Sequence, residues 1–289
     1  MVSGGAGMRR VRRLLVGGAL VCLGGAATSA GAQTVTLEMR PVPGDTVRLR
    51  FDQEVEMHAA RTEEGVERSM AMVTRFQVHT TAVVLKSVRD GATISASTDS
   101  AQVWMSDGST GDALRGRLLR GRVLMHVSPN GKTRMMQNGG IVSPELSALF
   151  AQMPALLPAR PVQVGGSWAQ SMAVPLSGQP GGPPAGMVRA TFQLDSLSDN
   201  GDIAFISMRG SLSRSPVITS AAGLPTGVTV ESTGTVAGAI EMDRRRGWMS
   251  AARVIVTTLT TYMPPSGAAD TPMRVRTRST QTLRLVDAR

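Results

Sequence analysis

The chain has 289 residues and carries 31 lysines and arginines against 21 aspartates and glutamates, a formal net charge of +10. Aromatic residues make up only 3 % of it, so the basic excess lacks the stacking rings that single-stranded nucleic-acid binding uses. One cysteine excludes an internal disulfide and a multi-thiolate metal site, so any fold must be held by its own core, for which the length suffices.

Residues 1–32 read as a secretory signal peptide. Arg9, Arg10, Arg12 and Arg13 form a basic cluster, Leu14 to Ala27 is apolar or small throughout, and Ala30, Gly31 and Ala32 offer a small-x-small cleavage site before Gln33. The apolar run is shorter than the ~20 residues that span a bilayer. The paired arginines also resemble a twin-arginine export signal; the plain Sec-type reading is preferred. Cys22 lies inside this segment behind Val21, where a lipoprotein signal places a small residue, so lipidation is not expected. The expected location is the periplasm or the medium.

The remaining chain reads as all-β, in two similar antiparallel halves: an N-terminal half at 33–142, a helix and proline-rich linker at 143–164, and a C-terminal half at 165–289. From Val47 to Met57, apolar Val47, Leu49, Phe51, Val55 and Met57 alternate with Arg48, Arg50, Asp52, Glu54 and Glu56. Period two means a strand with one dry and one wet face. Further strands are expected near 69–87, 92–104, 117–127, 187–197, 202–213, 228–243 and 248–263. In the last strand Met273, Val275, Leu283 and Leu285 share one parity, and Arg274, Arg276, Arg278 and Arg284 the other.

One stretch argues for helix. Ser143 is a cap, Pro144 suits the first turn, and Glu145 complements the positive helix end. Leu146, Leu149, Phe150 and Met153 then recur at helical spacing until Pro154.

Three blocks recur in the same order in both halves. Arg40, Pro41 and Val42 match Arg160, Pro161 and Val162. Leu85, Ser87, Val88, Asp90 and Ile94 match Leu194, Ser196, Leu197, Asp199 and Ile203. Gly121, Val123 and Met125, running into the turn at Gly131, match Gly238, Ile240 and Met242, running into the turn at Gly247. The blocks are sheet punctuation, with glycines supplying the positive φ of tight turns, and they read as an internal duplication.

Residues 157–168, with Pro158, Pro161, Val162, Val164, Gly165, Gly166, Ser167 and Trp168 in order, resemble the P-x-x-P-V-x-V-G-D-S-W signature of an uncharacterised family of bacterial secreted β-rich proteins. Gly166 stands where that signature has aspartate. The resemblance implies a signal peptide, two β-rich parts around the motif, and no known activity or catalytic residue.

Nucleophilic catalysis is not expected. No Gly-x-Ser-x-Gly or Ser-x-x-Lys follows the signal segment, and His58, His79 and His126 all fall within expected strands. Glu54, Glu56 and His58 project from one strand face, but their ~7 Å spacing along it suits a solvated face better than a metal site. No metal or cofactor is expected. Methionine is abundant, at 18 against 9 aromatic residues. Its thioether either lines an adaptable apolar concavity or fills gaps where rings are scarce.

The function expected is an exported, non-enzymatic cell-envelope protein that binds or carries an apolar or lipid-like ligand. The alternative is a structural or protein-interaction module of the envelope with no small-molecule ligand. The candidate ligand-binding residues are Leu49, Phe51, Val55, Met57, Met273 and Val275 on the first and last strands, with Leu146, Leu149, Phe150 and Met153 on the helix. Neither a nucleic-acid partner nor a membrane span after the signal peptide is expected.

Overall fold

The computed structural model describes residues 34–63, 66–108, 112–119, 122–136, 157–175, 184–219, 227–265 and 271–286. In chain order the elements are β1 (Thr34–Val35), β2 (Thr46–Glu63), β3 (Val66–Val88), β4 (Gly91–Met105), α1 (Asp112–Leu119), β5 (Arg122–Val127), β6 (Thr133–Met135), β7 (Val162–Gln163), β8 (Ser167–Pro175), β9 (Pro184–Leu197), β10 (Ile203–Thr219), β11 (Val228–Asp243), β12 (Trp248–Met263) and β13 (Met273–Val286). The all-β class is as the alternation predicts. The eight-residue helix α1 is a correction, because residues 117–119 were expected to open a strand. The expected helix at 144–153 lies outside the described residues.

Eleven strands form one antiparallel sheet in the order β6-β5-β4-β3-β2-β13-β12-β11-β10-β9-β8. Two meanders, β2 to β6 and β8 to β12, flank β13, which joins them by pairing with both β2 and β12. Directly paired residues of an antiparallel ladder share a face, so the register fixes two faces. The wet face carries Arg48, Arg50, Asp52, Glu54, Glu56 and His58 of β2, with Arg276, Arg278 and Arg284 of β13 among the residues opposite them. The dry face carries Leu49, Phe51, Val55 and Met57, with Leu285, Leu283, Ser279 and Thr277 opposite.

The sheet curls around its dry face. Met39 N–H donates to the Pro129 carbonyl at 2.7 Å, in the β5–β6 turn, and the adjacent Arg40 N–H donates to the Gly247 carbonyl at 3.0 Å, in the β11–β12 turn. On a flat sheet those turns would lie six strand spacings apart, about 29 Å. Consecutive residues span only ~3.8 Å. One end of the sheet is therefore drawn together by residues 34–41, whose Val35, Leu37, Met39 and Pro41 are buried. Glycines permit the bend. A Cβ on Gly210, Gly234 or Gly238 would lie 2.3, 2.4 or 2.6 Å from a backbone oxygen of the adjoining strand.

The buried cluster at this drawn end is continuous. It combines Ile94, Val123 and Met125 of one meander with Phe192, Leu194, Ile206 and Met208 of the other, and the arm residues Val35, Leu37 and Met39.

Candidate functional site

Two regions of the sheet have the exposure a binding site needs. The first is the part of the dry face farthest from the drawn end. Along β2 the dry-face residues run Leu49, Phe51, Gln53, Val55, Met57, Ala59. Gln53 lies directly opposite Gln281 of β13 and donates a 3.1 Å hydrogen bond to Ser279 Oγ. These three polar side chains interrupt the apolar face. Below them Leu49, Phe51 and Leu283 are buried in the continuous cluster. Above them Met57 sits opposite Met72 of β3, Met70 opposite Ala59, and Met105 of β4 opposite Thr74. Met273 of β13 shares this face. Five methionines thus gather on four adjoining strands. Met57, Met72, Met105 and Met273 are half-buried, and Met70 is 58 % exposed.

The residues singled out from sequence divide along the same line. Leu49 and Phe51 belong to the packed core, and the cavities they line measure about 60 Å³ and 20 Å³. That is too little for a lipid-sized molecule. Val55, Met57 and Met273 stand half-buried above the polar break with Val275, which is buried but lies outside the main cluster. Leu146, Leu149, Phe150 and Met153 lie outside the described residues. Sequence reading took in Met70, Met72 and Met105 only through the overall abundance of methionine. Period two extended along 69–87 and 92–104 would have placed them on strands, but only the register puts them beside Met57.

The second region is an open trough of about 680 Å³ on the wet face. Two cross-strand rows build it. Gln102, Gln77, Asp52, Thr282 and Arg253 form one, from β4 to β12. Trp104, Arg75, Glu54 and Thr280 form the other. Arg50 engages Asp52 at 2.8 Å and Arg75 engages Glu54 at 2.5 Å. The Arg50 guanidinium pKa is raised, first by its hydrogen bond to Asp52 and then by that carboxylate's charge. Gln77 Nε2 donates to Asp52 Oδ1 at 3.2 Å, and the Arg75 guanidinium lies 5.1 Å from the centre of the Trp104 ring.

This wiring sets the surroundings of the acids of β2. Asp52 and Glu54 are each held by an arginine at an exposed surface, and catalytic carboxylates need burial to separate their affinities for protons. Among the described residues no three metal-ligating side chains converge; Glu54, Glu56 and His58 share one strand face. His126 Nε2 lies 3.3 Å from the Asp90 carbonyl, at a hairpin turn. Among the described residues no helix is long and apolar enough to cross a membrane.

Residues 132–249 match a family of unknown function, DUF6263. The DUF6263 segment runs from the β5–β6 turn to the start of β12 and contains residues 157–168, on which the sequence resemblance rests. No match to a curated protein was found. Among solved structures, one concerned with lipid–protein interactions in lipovitellin aligns over 85 % of this chain, with 9 % identity and a TM-score of 0.43. This chain spans 25 % of that protein's length. The translocator domain of the autotransporter NalP from Neisseria meningitidis aligns over 82 % of this chain and 88 % of its own, with 9 % identity and a TM-score of 0.15.

Proposed function

We propose that this protein is an exported, non-enzymatic component of the cell envelope that binds an apolar, lipid-like ligand on the methionine-rich end of its dry face. One observation carries the reading: Met57, Met70, Met72, Met105 and Met273 share a face of four adjoining strands, and all remain partly exposed while Leu49, Phe51 and Leu283 at the other end of that face are buried. Exposed contiguous apolar surface costs solubility and is retained where something binds. Unbranched thioethers adapt to acyl chains of varied shape. Cavities of about 60 and 20 Å³ beside the core leave no room for a lipid, so the ligand lies against the open end.

Export rests on the basic, apolar and small-residue order of residues 9–32. An ancestral duplication is part of the same proposal. What supports it is that the matched sequence blocks fall in meanders of the same order, with positive φ at Gly91 and Gly201 and at Gly131 and Gly247.

The test is to express the full chain with its leader, recover it from the bacterial periplasm, and analyse it by native mass spectrometry followed by solvent extraction. Co-purified lipid that falls in Met57→Asn/Met70→Asn/Met72→Asn, at an unchanged melting temperature, is the expected result. A ligand-free protein, or equal lipid on that variant, overturns the proposal. A stoichiometric protein partner in place of lipid would favour the interaction module instead.

A further inference from the structure

The trough lies on the opposite face of the sheet from the methionines, and the lipid-like ligand leaves it unused. It crosses five strands, from Gln102 and Trp104 on β4 to Arg253 on β12, about 19 Å at the usual strand spacing. Its volume of about 680 Å³ lies within the ~300–1,000 Å³ of small-ligand sites.

The two ends differ chemically. At the β4 end Trp104 is 51 % exposed, an indole with part of its surface left to solvent beside Arg75. At the other end Arg253 of β12 and Arg278 of β13 are exposed and make no ion pair among the described residues, although Glu56 lies directly opposite Arg278. The floor between is amide, carboxylate and hydroxyl: Gln102, Gln77, Asp52, Glu54, Thr280 and Thr282. Asp52 and Glu54 are already neutralised by Arg50 and Arg75, so the charge left open to a ligand is that of Arg253 and Arg278, offset in part by the Glu56 carboxylate that also lines the trough and leaving a net positive end. Arg276 and Arg274 continue the same exposed row along β13.

We infer that this trough binds a short acidic saccharide. A sugar ring presents C–H groups to a half-exposed indole and hydroxyls to amides and carboxylates, and its acid group meets guanidinium forks. An acyl chain would find no apolar floor here. A planar bilayer would touch the rim and leave the recess unfilled.

The experiment is isothermal titration of the full-length exported protein with tetragalacturonate, with maltotetraose as the uncharged counterpart and phosphatidylglycerol vesicles as a competing anionic surface. Saturable binding of tetragalacturonate is expected, weaker for maltotetraose and weakened by added salt. Arg253→Gln/Arg278→Gln should reduce affinity roughly tenfold, and Trp104→Ala should reduce it for both sugars, at unchanged melting temperatures. Absence of saturable binding overturns the inference. So does affinity indifferent to Arg253→Gln/Arg278→Gln, or vesicle binding that tetragalacturonate does not displace. The methionine variants of the lipid test leave this site intact, so the two readings fail separately.

Discussion

The dry face contains two regions built from the same strands on the same alternating pattern, yet only one is a core. Near the drawn end, Leu49, Phe51 and Leu283 pack against the arm that carries Leu37 and Met39, and little empty volume remains. Past Gln53, Ser279 and Gln281 the alternation continues through Val55 and Met57, and the side chains stay partly exposed. Alternation states which side of a strand avoids water. Whether that side is filled depends on what crosses it, and here the crossing segment is residues 34–41.

The sharpest way to break this comparison is a matched substitution in each region. Met208→Ala removes a side chain that is 1 % exposed inside the cluster. Loss of its transfer energy, together with the cavity left, should cost about 2–5 kcal/mol in chemical denaturation. A cost below about 1 kcal/mol would mean the drawn end is loosely packed and the contrast false.

Next in size is the clamp that creates the packed region. Gly247 has φ +64°, and an added Cβ would lie 2.5 Å from the Arg40 backbone. Gly247→Ala should cost about 1–3 kcal/mol through backbone strain and should loosen the arm. Hydrogen exchange at the Met39 and Arg40 amides, which donate to Pro129 and Gly247, reads this directly. Unchanged protection there would show that the arm does not draw the sheet's end together.

Much of this arrangement was legible before any coordinates. Alternation located β2 and β13, and the glycine turns located the hairpins, because both are local properties of backbone and side chain. The packing role of the arm was not read, although Val35, Leu37 and Met39 alternate too, since a pattern does not say which surface a segment will cover. Helix α1 was missed because Leu118 and Leu119, just before Gly121, fit the start of a strand as well as the end of a helix. The trough was beyond reach. Its rows depend on β2 pairing with β13, more than 200 residues away, and on a register in which Asp52 meets Thr282. By alternation alone, the arginines of β13 could face water, pair with the acids of β2, or meet an acidic polymer or lipid head groups. The register puts Arg278 opposite Glu56 but Arg274 and Arg276 opposite Ala60 and His58, and Asp52 and Glu54 find partners in Arg50 and Arg75.

The polar break tests whether the two regions are separate at all. Gln53→Leu forfeits a hydrogen bond worth about 1 kcal/mol and gains apolar burial of similar size. Stability should change by less than about 1 kcal/mol, while binding of a fluorescent apolar dye to the open end should rise. A loss well above that range would identify Gln53, Ser279 and Gln281 as a network that holds β2 to β13, not as an incidental boundary.

The smallest effect is the most diagnostic. Met70→Ala makes the same chemical change as Met208→Ala, on the same face of the sheet, but at a residue 58 % exposed. Truncating an exposed side chain leaves no cavity, so stability should shift by no more than about 0.5 kcal/mol. If the open end binds apolar ligand, the loss must then appear elsewhere, as a lower yield of co-purified lipid from a protein that melts normally. A destabilisation comparable to that of Met208→Ala would instead place Met70 in a packed environment, and the methionines of β2, β3, β4 and β13 would then be core filling.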